Sequence, residues 1–129
     1  MSRIQHVNPP TITAPFSRYS QGVIVKLPAR WLYVSGQVGM TLSGVLPDSF
    51  EEQARNAWRN VFGLLEASEM SVANLVKVTA YLTRAGDVGQ YRTVRDSMLG
   101  KVSTASTLVV VAGLPDPRLL IEIEAVAAD

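Results

Sequence analysis

The sequence contains no cysteine and a single histidine, His6, among its 129 residues. Without cysteine the chain can form no disulfide, no thiolate metal site and no cysteine nucleophile. A zinc site or a serine–histidine–aspartate triad would depend on that one imidazole near the N-terminus. No Asp-x-Asp pattern indicates a magnesium site held by carboxylates. We therefore predict a protein that uses neither a metal nor any other cofactor.

Charge is also scarce, since charged residues make up 18% of the chain and the formal net charge is +1. The positive residues are scattered, whereas nucleic-acid binding through counterion release needs a basic patch. This distribution disfavours nucleic acid as the main partner. Hydrophobic residues make up 47%. A chain with so little charge to cover its surface is typical of subunits that bury part of that surface against each other.

No apolar run approaches the roughly 20 residues that a membrane-spanning helix needs. Residues 1–10 lack the positive flank and apolar stretch of a signal peptide. We therefore expect a cytoplasmic protein without a membrane partner. The length suits a single domain, 1–129.

The first part of the chain predicts two strands. Residues 1–18 are rich in proline and threonine and predict an irregular lead-in. Residues 22–27 and residues 31–36 are rich in β-branched and aromatic side chains, and only Pro28, Ala29 and Arg30 separate them. Together these two runs predict a β-hairpin.

Two helices follow. Ser49 and Glu52 have the spacing of a capping box, which predicts the start of the first helix. One apolar stripe at helical spacing comes next: Ala54, Trp58, Val61 and Leu65. Asp87 and Gln90 repeat the capping spacing and predict a second helix. That helix would run through Tyr91, Val94 and Met98.

Three more strands complete the pattern. Residues 76–83 alternate apolar and polar side chains, and residues 120–126 place Glu122 and Glu124 on one face. Residues 108–111 are continuously apolar, which predicts burial on both faces. The order β-β-α-β-α-β-β indicates an α+β fold with two helices packed on one face of a mixed sheet. We therefore expect the other face to meet another subunit.

Several segments in order resemble the RidA/YjgF family. Residues 19–23 (Tyr-Ser-Gln-Gly-Val) are similar to its P-Y-S-Q-A/G-V, residues 34–38 to its T/V-S-G-Q-I/V, and residues 114–115 with 121–127 to its R-L-P…V/I-E-I-E-A-I-A. Residues 52–55 and 76–82 fall where the family has E-Q-T/A-R and V-V-K-T-T-V-F-L. The resemblance covers nearly the whole chain. It implies a chorismate-mutase-like subunit in a homotrimer, with clefts for a small metabolite between subunits.

The resemblance also implies an activity, the hydrolysis or deamination of an imine or enamine to a ketone and ammonia. Glu122 would be the catalytic residue that directs the water, and Tyr19 and Ser35 would line the cleft. The other candidates for substrate binding are Arg92, Ala105 and Thr107. Arg92 stands at the position of a family asparagine, whereas the other two lie in the segment equivalent to A-R-S-T/C.

Ala105 departs from the family pattern, because the best-known members hold a substrate carboxylate with an arginine at this position. Loss of such a charge-assisted bidentate contact costs about 2–3 kcal/mol of binding. Residues 99–104 also form a shorter loop than usual. We therefore expect weak or absent activity on the usual imino acids, with Arg92 or Arg18 as a replacement. The alternative is a metabolite-binding or regulatory trimer without turnover.

Glu122 and Glu124 admit two interpretations. Two carboxylates on the same strand face can repel each other and raise the pKa of one, which suits general acid–base chemistry. They can equally belong to an exposed strand face or form salt bridges across a subunit interface.

Overall fold

A computed structural model of the chain describes residues 3–27 and 29–129. The strands are β1 (Ile4–Val7), β2 (Gly22–Val25), β3 (Trp31–Val38), β4 (Leu75–Leu82), β5 (Ala105–Val110) and β6 (Ile121–Ala128). The helices are α1 (Phe50–Ala67) and α2 (Val88–Leu99), with short 3-10 turns at Val72–Asn74 and Ala85–Asp87. Over these ranges, no helix combines the length and apolar character that crossing a bilayer requires.

The main sheet has the strand order β3-β6-β4-β5, in which the β4–β5 pair is parallel and the other two pairs are antiparallel. Helix α1 packs against β3, β6 and α2. Alternate residues of β6, from Ile121 to Ala127, are buried on the helix side. Glu122 and Glu124 therefore lie on the opposite face, as predicted. The α+β class, with two helices on one side of a mixed sheet, is confirmed.

The predicted apolar stripe of α1 forms the centre of the core, since its four side chains are at most 1% exposed. At the start of the helix, the Ser49 hydroxyl accepts a hydrogen bond from the Glu52 backbone N–H at 3.2 Å. Helix α2 begins after Asp87 as predicted, but the predicted capping hydrogen bond is wrong. Asp87 ends a 3-10 turn and makes no side-chain cap bond in the described chain. Its carboxylate instead accepts a hydrogen bond from Arg84 Nε at 2.7 Å.

Two predictions for the first part of the chain are wrong. Residues 4–7 are not irregular but form β1, which pairs with β2 in a separate two-stranded sheet. Strands β2 and β3 form no hairpin, because β3 pairs with β6 instead. The local pattern identifies both strands correctly, but it does not contain the long-range pairing that selects their partners.

The predicted burial of residues 108–111 on both faces is also wrong within one chain. Val109 is 36% exposed and Val110 is 47% exposed. Strand β5 is an edge of the main sheet, and the helices cover only one of its faces.

Gln53 holds helix α1 close to the end of β3 and to the segment before β6. Its buried amide nitrogen donates to the Pro47 and Arg118 carbonyl oxygens at 2.8 and 3.0 Å, and its amide oxygen accepts from the Leu120 N–H at 2.9 Å. The backbone of this residue packs directly on Gly39, where a Cβ atom would overlap the Gln53 Cα and carbonyl oxygen. Gln53 thereby fixes α1 to the end of β3 and to the segment before β6.

Candidate functional site

A groove of about 250 Å³ lies between the segment before β2, helix α2 and strand β5. We call it the arginine groove. Its lining residues are Phe16, Ser17, Tyr19, Arg92, Arg95, Ser106, Thr107 and Leu108. Three of the predicted substrate-binding residues, Tyr19, Arg92 and Thr107, thus meet in a single chain.

The buried side chain of Ser20 holds the Tyr19 segment in place. Its backbone N–H donates to the Thr104 carbonyl oxygen at 2.9 Å, and its hydroxyl donates to the Ser103 carbonyl oxygen. His6 Nδ1 lies 2.8 Å from the same hydroxyl oxygen. Because the hydroxyl proton is committed to Ser103, His6 acts as the donor and does not activate Ser20 as a nucleophile. Ser20 and His6 therefore position the wall of the groove.

Thr107 lines the arginine groove, whereas Ala105 does not. The Thr107 hydroxyl oxygen accepts a hydrogen bond from Lys77 Nζ at 2.5 Å, which leaves its proton available to a ligand. Ala105 pairs with Lys77 and forms an isolated bridge with Ser20. It is half-buried and is not part of the lining. The structure thus places Ala105 beside the groove.

Arg18 lies outside the groove and is already engaged. Its Nη1 donates to the Gly100 carbonyl oxygen at 2.8 Å, and its Nη2 is 4.0 Å from an Asp96 carboxylate oxygen. Arg92, by contrast, is exposed and forms no hydrogen bond or ion pair with any residue that the structure describes. Of the two replacements proposed from the sequence, Arg92 is the one that the structure places in the groove.

A second cavity, of about 310 Å³, lies on the sheet face opposite the helices. We call it the sheet-face cleft. It is lined by Tyr33, Val34, Ser35, Lys77, Thr79, Glu124, Ala125 and Val126. It contains the predicted residue Ser35, but with Glu124 and not with Glu122.

Glu122 is half-buried and its side chain lies across Gly36. A Cβ atom at position 36 would overlap the Glu122 Oε1 and Cδ atoms. The β3–β6 pairing shifts register between Val34 and Gln37, which is where Gly36 lies. Sequence reasoning did not single out Gly36. The signal was available, since a glycine inside a strand often marks a bulge or a close approach.

Glu124 has a partner of its own on this face. Its carboxylate accepts a hydrogen bond from the Tyr81 hydroxyl at 2.6 Å. This hydrogen bond is the main reason that the pKa of Tyr81 is raised. The carboxylate that remains without such a partner in the described chain is Glu122, which is the one that the motif comparison selected.

One chain therefore separates the predicted site into two parts. Tyr19, Arg92 and Thr107 line the arginine groove, whereas Ser35 lies in the sheet-face cleft and Glu122 lines neither cavity. Among residues 3–27 and 29–129, no three histidine, aspartate or glutamate side chains cluster closely enough to hold a metal ion. The side chains that line the two cavities offer guanidinium groups, an ammonium group, hydroxyls and a carboxylate.

Comparisons with known proteins identify the family and the fold. Residues 11–129 match the family described as "Endoribonuclease L-PSP". The chain is 34% identical over 116 residues to a 2-iminobutanoate/2-iminopropanoate deaminase of Rattus norvegicus, covering 88% of this chain and 82% of that one. It is 30% identical over 122 residues to a RutC family protein of Aquifex aeolicus, covering 94% of each.

Solved structures show the same fold. A Rid family protein of unknown function from Yersinia pestis superposes with a TM-score of 0.84 at 24% identity, covering 97% of this chain and 98% of that one. At that identity the likeness concerns the fold. E. coli TdcF with bound serine superposes with a TM-score of 0.73 at 26% identity, with the same two coverages of 97% and 98%.

Proposed function

The chain belongs to the RidA/YjgF family, described as endoribonuclease L-PSP, and from that premise we propose that it hydrolyses a small imine or enamine to a ketone and ammonia. The observation that carries this proposal is the convergence of Tyr19, Arg92 and Thr107 on one groove. These residues come from three separate parts of the chain and offer a hydroxyl, a cation and a second hydroxyl to a small polar ligand.

In the proposed mechanism, Glu122 accepts a proton from water as the water oxygen attacks the carbon of the C=N bond. The nitrogen then takes up this proton from Glu122 and the proton of the new hydroxyl group, the C–N bond breaks, and ammonia leaves as the carbonyl forms. Water is the only co-reactant that this balance needs. A positioned carboxylate typically contributes about 10²–10⁴-fold to such a proton transfer.

We further propose that the two parts of the site meet between subunits of a homotrimer. Glu122 and Ser35 of one subunit would face the arginine groove of the next. The sheet face opposite the helices supports this assembly, because it exposes apolar side chains in the single chain. Trp31 is 43% exposed, Tyr33 74% and Val109 36%.

Sedimentation equilibrium is expected to give three times the mass of one chain. Tyr33→Asp should shift the population towards monomer, because it places a charge on the apolar sheet face. Leu42→Asp is the matched control. Leu42 is an exposed apolar residue as well, but it lies in the loop before α1. A wild-type monomer, or equal dissociation by both variants, would contradict an interface on this face.

The activity is tested by generating 2-iminobutanoate or 2-aminoacrylate in situ with an amino-acid oxidase or lyase. The proposal predicts faster loss of the imine in the presence of the protein. With Ala105 at the family's arginine position, we expect a lower rate on these acids than the rat deaminase gives under the same conditions. Failure to accelerate hydrolysis of any imino acid or neutral imine would sink the proposal.

Gly36→Ala should lower the rate by roughly 10-fold or more while leaving the melting temperature nearly unchanged. The new methyl group would displace the Glu122 carboxylate, and small displacements of catalytic groups are costly. The Glu122 side chain that moves is long and lies away from the core, so the stability of the fold should change little. Steady-state kinetics and thermal unfolding measure the two effects. A rate equal to the wild type would show that the position of Glu122 is unimportant.

The second candidate function is metabolite binding or regulation without turnover, and Ala105 favours it because the family's carboxylate contact is lost there. A ligand that binds the arginine groove in the absence of any imine hydrolysis would support this candidate.

The family description also names an endoribonuclease. Incubation of the protein with a labelled single-stranded RNA distinguishes this activity from imine hydrolysis, because shortened labelled fragments would appear only if the RNA is cleaved.

A further inference from the structure

Helix α2 carries two arginines three residues apart, Arg92 and Arg95, and both line the arginine groove. Residues at this spacing lie on one side of a helix. We propose that Arg92 and Arg95 together form an anion-binding subsite that takes the carboxylate of a short-chain 2-oxo or 2-imino acid. The identity of the ligand rests on the proposed function, whereas the anion site itself rests on the geometry of the groove.

Arg95 is an unusual residue in this fold because it is only 5% exposed. Its Nε donates to an Asp96 carboxylate oxygen at 3.1 Å. Its Nη2 forms an ion pair with the same oxygen at 3.0 Å but without hydrogen-bond geometry, so this buried nitrogen has no hydrogen-bond acceptor among the residues that the structure describes. Although the guanidinium is ion-paired with Asp96, a buried N–H donor without an acceptor destabilises the folded chain. An anion in the groove would relieve that cost.

A second buried donor lies one turn earlier on the same helix. The side chain of Tyr91 is fully buried, and its hydroxyl has no hydrogen-bond partner within the described residues. Burial raises the pKa of Tyr91, against the effect of the nearby Arg95 charge. The phenol therefore stays protonated and can act as a donor. Helix α2 thus carries two buried donors without acceptors in the described chain, of which Arg95 lines the groove and Tyr91 does not.

The charge balance around the groove also favours an anion. Arg92 and Arg95 contribute two cations to the groove lining, and among the described residues Asp96 is the carboxylate that pairs with Arg95. Asp96 is shared between Arg18 and Arg95 and its side chain is 33% exposed. Arg92 has no ion-pair partner in the described chain. One shared carboxylate leaves an excess of positive charge facing the groove.

The rest of the lining defines the size and character of the ligand. A volume of about 250 Å³ is the space of roughly eight water molecules. Phe16 and Leu108 provide apolar walls, and Tyr19 and Thr107 provide hydroxyls. A carboxylate held by the arginines would therefore leave a short apolar tail against Phe16 and Leu108. A small 2-oxo or 2-imino acid meets these requirements.

Binding is tested on the full chain with 2-oxobutanoate, a stable ketone that keeps the carboxylate, and with butanone as the neutral probe. Isothermal titration calorimetry should detect 2-oxobutanoate but not butanone. Arg92→Gln and Arg95→Gln should each weaken binding by roughly 10- to 100-fold, because each removes a charge-assisted contact. Arg59→Gln is the matched control, since Arg59 is an exposed arginine on α1 outside this groove.

An NMR titration keeps the proposal testable if Arg95→Gln does not fold. On adding 2-oxobutanoate to the wild type, the Nε–Hε signals of Arg92 and Arg95 should shift and that of Arg59 should not. Arg95→Lys should bind more weakly than the wild type but more tightly than Arg92→Gln/Arg95→Lys. No binding of 2-oxobutanoate, or binding that neither Arg92→Gln nor Arg95→Lys weakens, would overturn the proposal.

These outcomes are distinct from those of the imine assay. Arginine-dependent binding without any imine hydrolysis would uphold the anion subsite and refute the proposed hydrolase. Imine hydrolysis with unchanged kcat/KM in Arg92→Gln and Arg95→Lys would uphold the hydrolase and refute the subsite.

Discussion

Glu122→Gln is expected to lower kcat for imine hydrolysis by roughly 10²–10⁴-fold, the range that a general base contributes. Glutamine keeps the size of the side chain but cannot take a proton from water. The fold should tolerate the change, because Glu122 lies on the sheet face opposite the helices and outside the buried core. Steady-state kinetics on 2-iminobutanoate generated in situ, together with thermal unfolding, measures both effects.

Glu124→Gln provides the matched control for that experiment. It lies two residues further along β6 on the same face, and its carboxylate is bonded to the Tyr81 hydroxyl at 2.6 Å. We expect its effect on kcat to be less than about 10-fold, since it is not assigned the proton transfer. Equal losses in the two variants would indicate a general effect of charge on this face. Full activity of Glu122→Gln would refute the catalytic role of Glu122.

Gly39→Ala is expected to lower the free energy of unfolding by about 2–4 kcal/mol. The new Cβ atom would overlap the backbone of Gln53, and a helix backbone cannot move aside as a flexible side chain can. Any shift of α1 also strains the three hydrogen bonds of the Gln53 amide. Urea unfolding followed by circular dichroism measures the change.

Gly63→Ala is the control on the same helix. A Cβ atom there would have no neighbour within 4 Å. The exposed glycine lies inside α1, so alanine should stabilise the protein by about 0.5–1 kcal/mol. If Gly39→Ala were as stable as the wild type, the close packing of β3 on α1 would not be a constraint on the fold.

Gly36 and Gly39 lie three residues apart, but each leaves room for a different neighbouring group. Gly39 leaves room for the backbone of α1, so its replacement is predicted to affect stability. Gly36 leaves room for the carboxylate of Glu122, so its replacement is predicted to affect activity. A glycine inside a strand signals a close approach in the sequence, but the sequence does not show which atoms approach.

The structure changes the interpretation of Ala105. From the sequence it is the loss of a carboxylate-binding arginine. In the structure it stands beside the arginine groove, whose cations come from α2. The proposed subsite would supply from a helix the type of contact that the family motif supplies from a strand. The orientation of a bound acid would differ accordingly, which fits our expectation of weak activity on the usual imino acids.

The sequence by itself determined the helix stripe of α1, the alternation in β4 and β6, the α+β class and the family. These follow from local periods of about 3.6 and 2 residues and from ordered short motifs, which need no knowledge of distant contacts. The pairing of β2 with β1 depended on tertiary structure, because strand partners are chosen over long separations. The burial of Arg95 was equally invisible, since arginine in a helix is usually solvent-exposed. The family resemblance predicted that Tyr19, Arg92 and Thr107 bind one substrate. Only the fold decided that these three share a groove within one chain while Glu122 lies over Gly36. Such a meeting depends on how α2 and the N-terminal segment pack against the main sheet, and no short stretch of sequence encodes that packing.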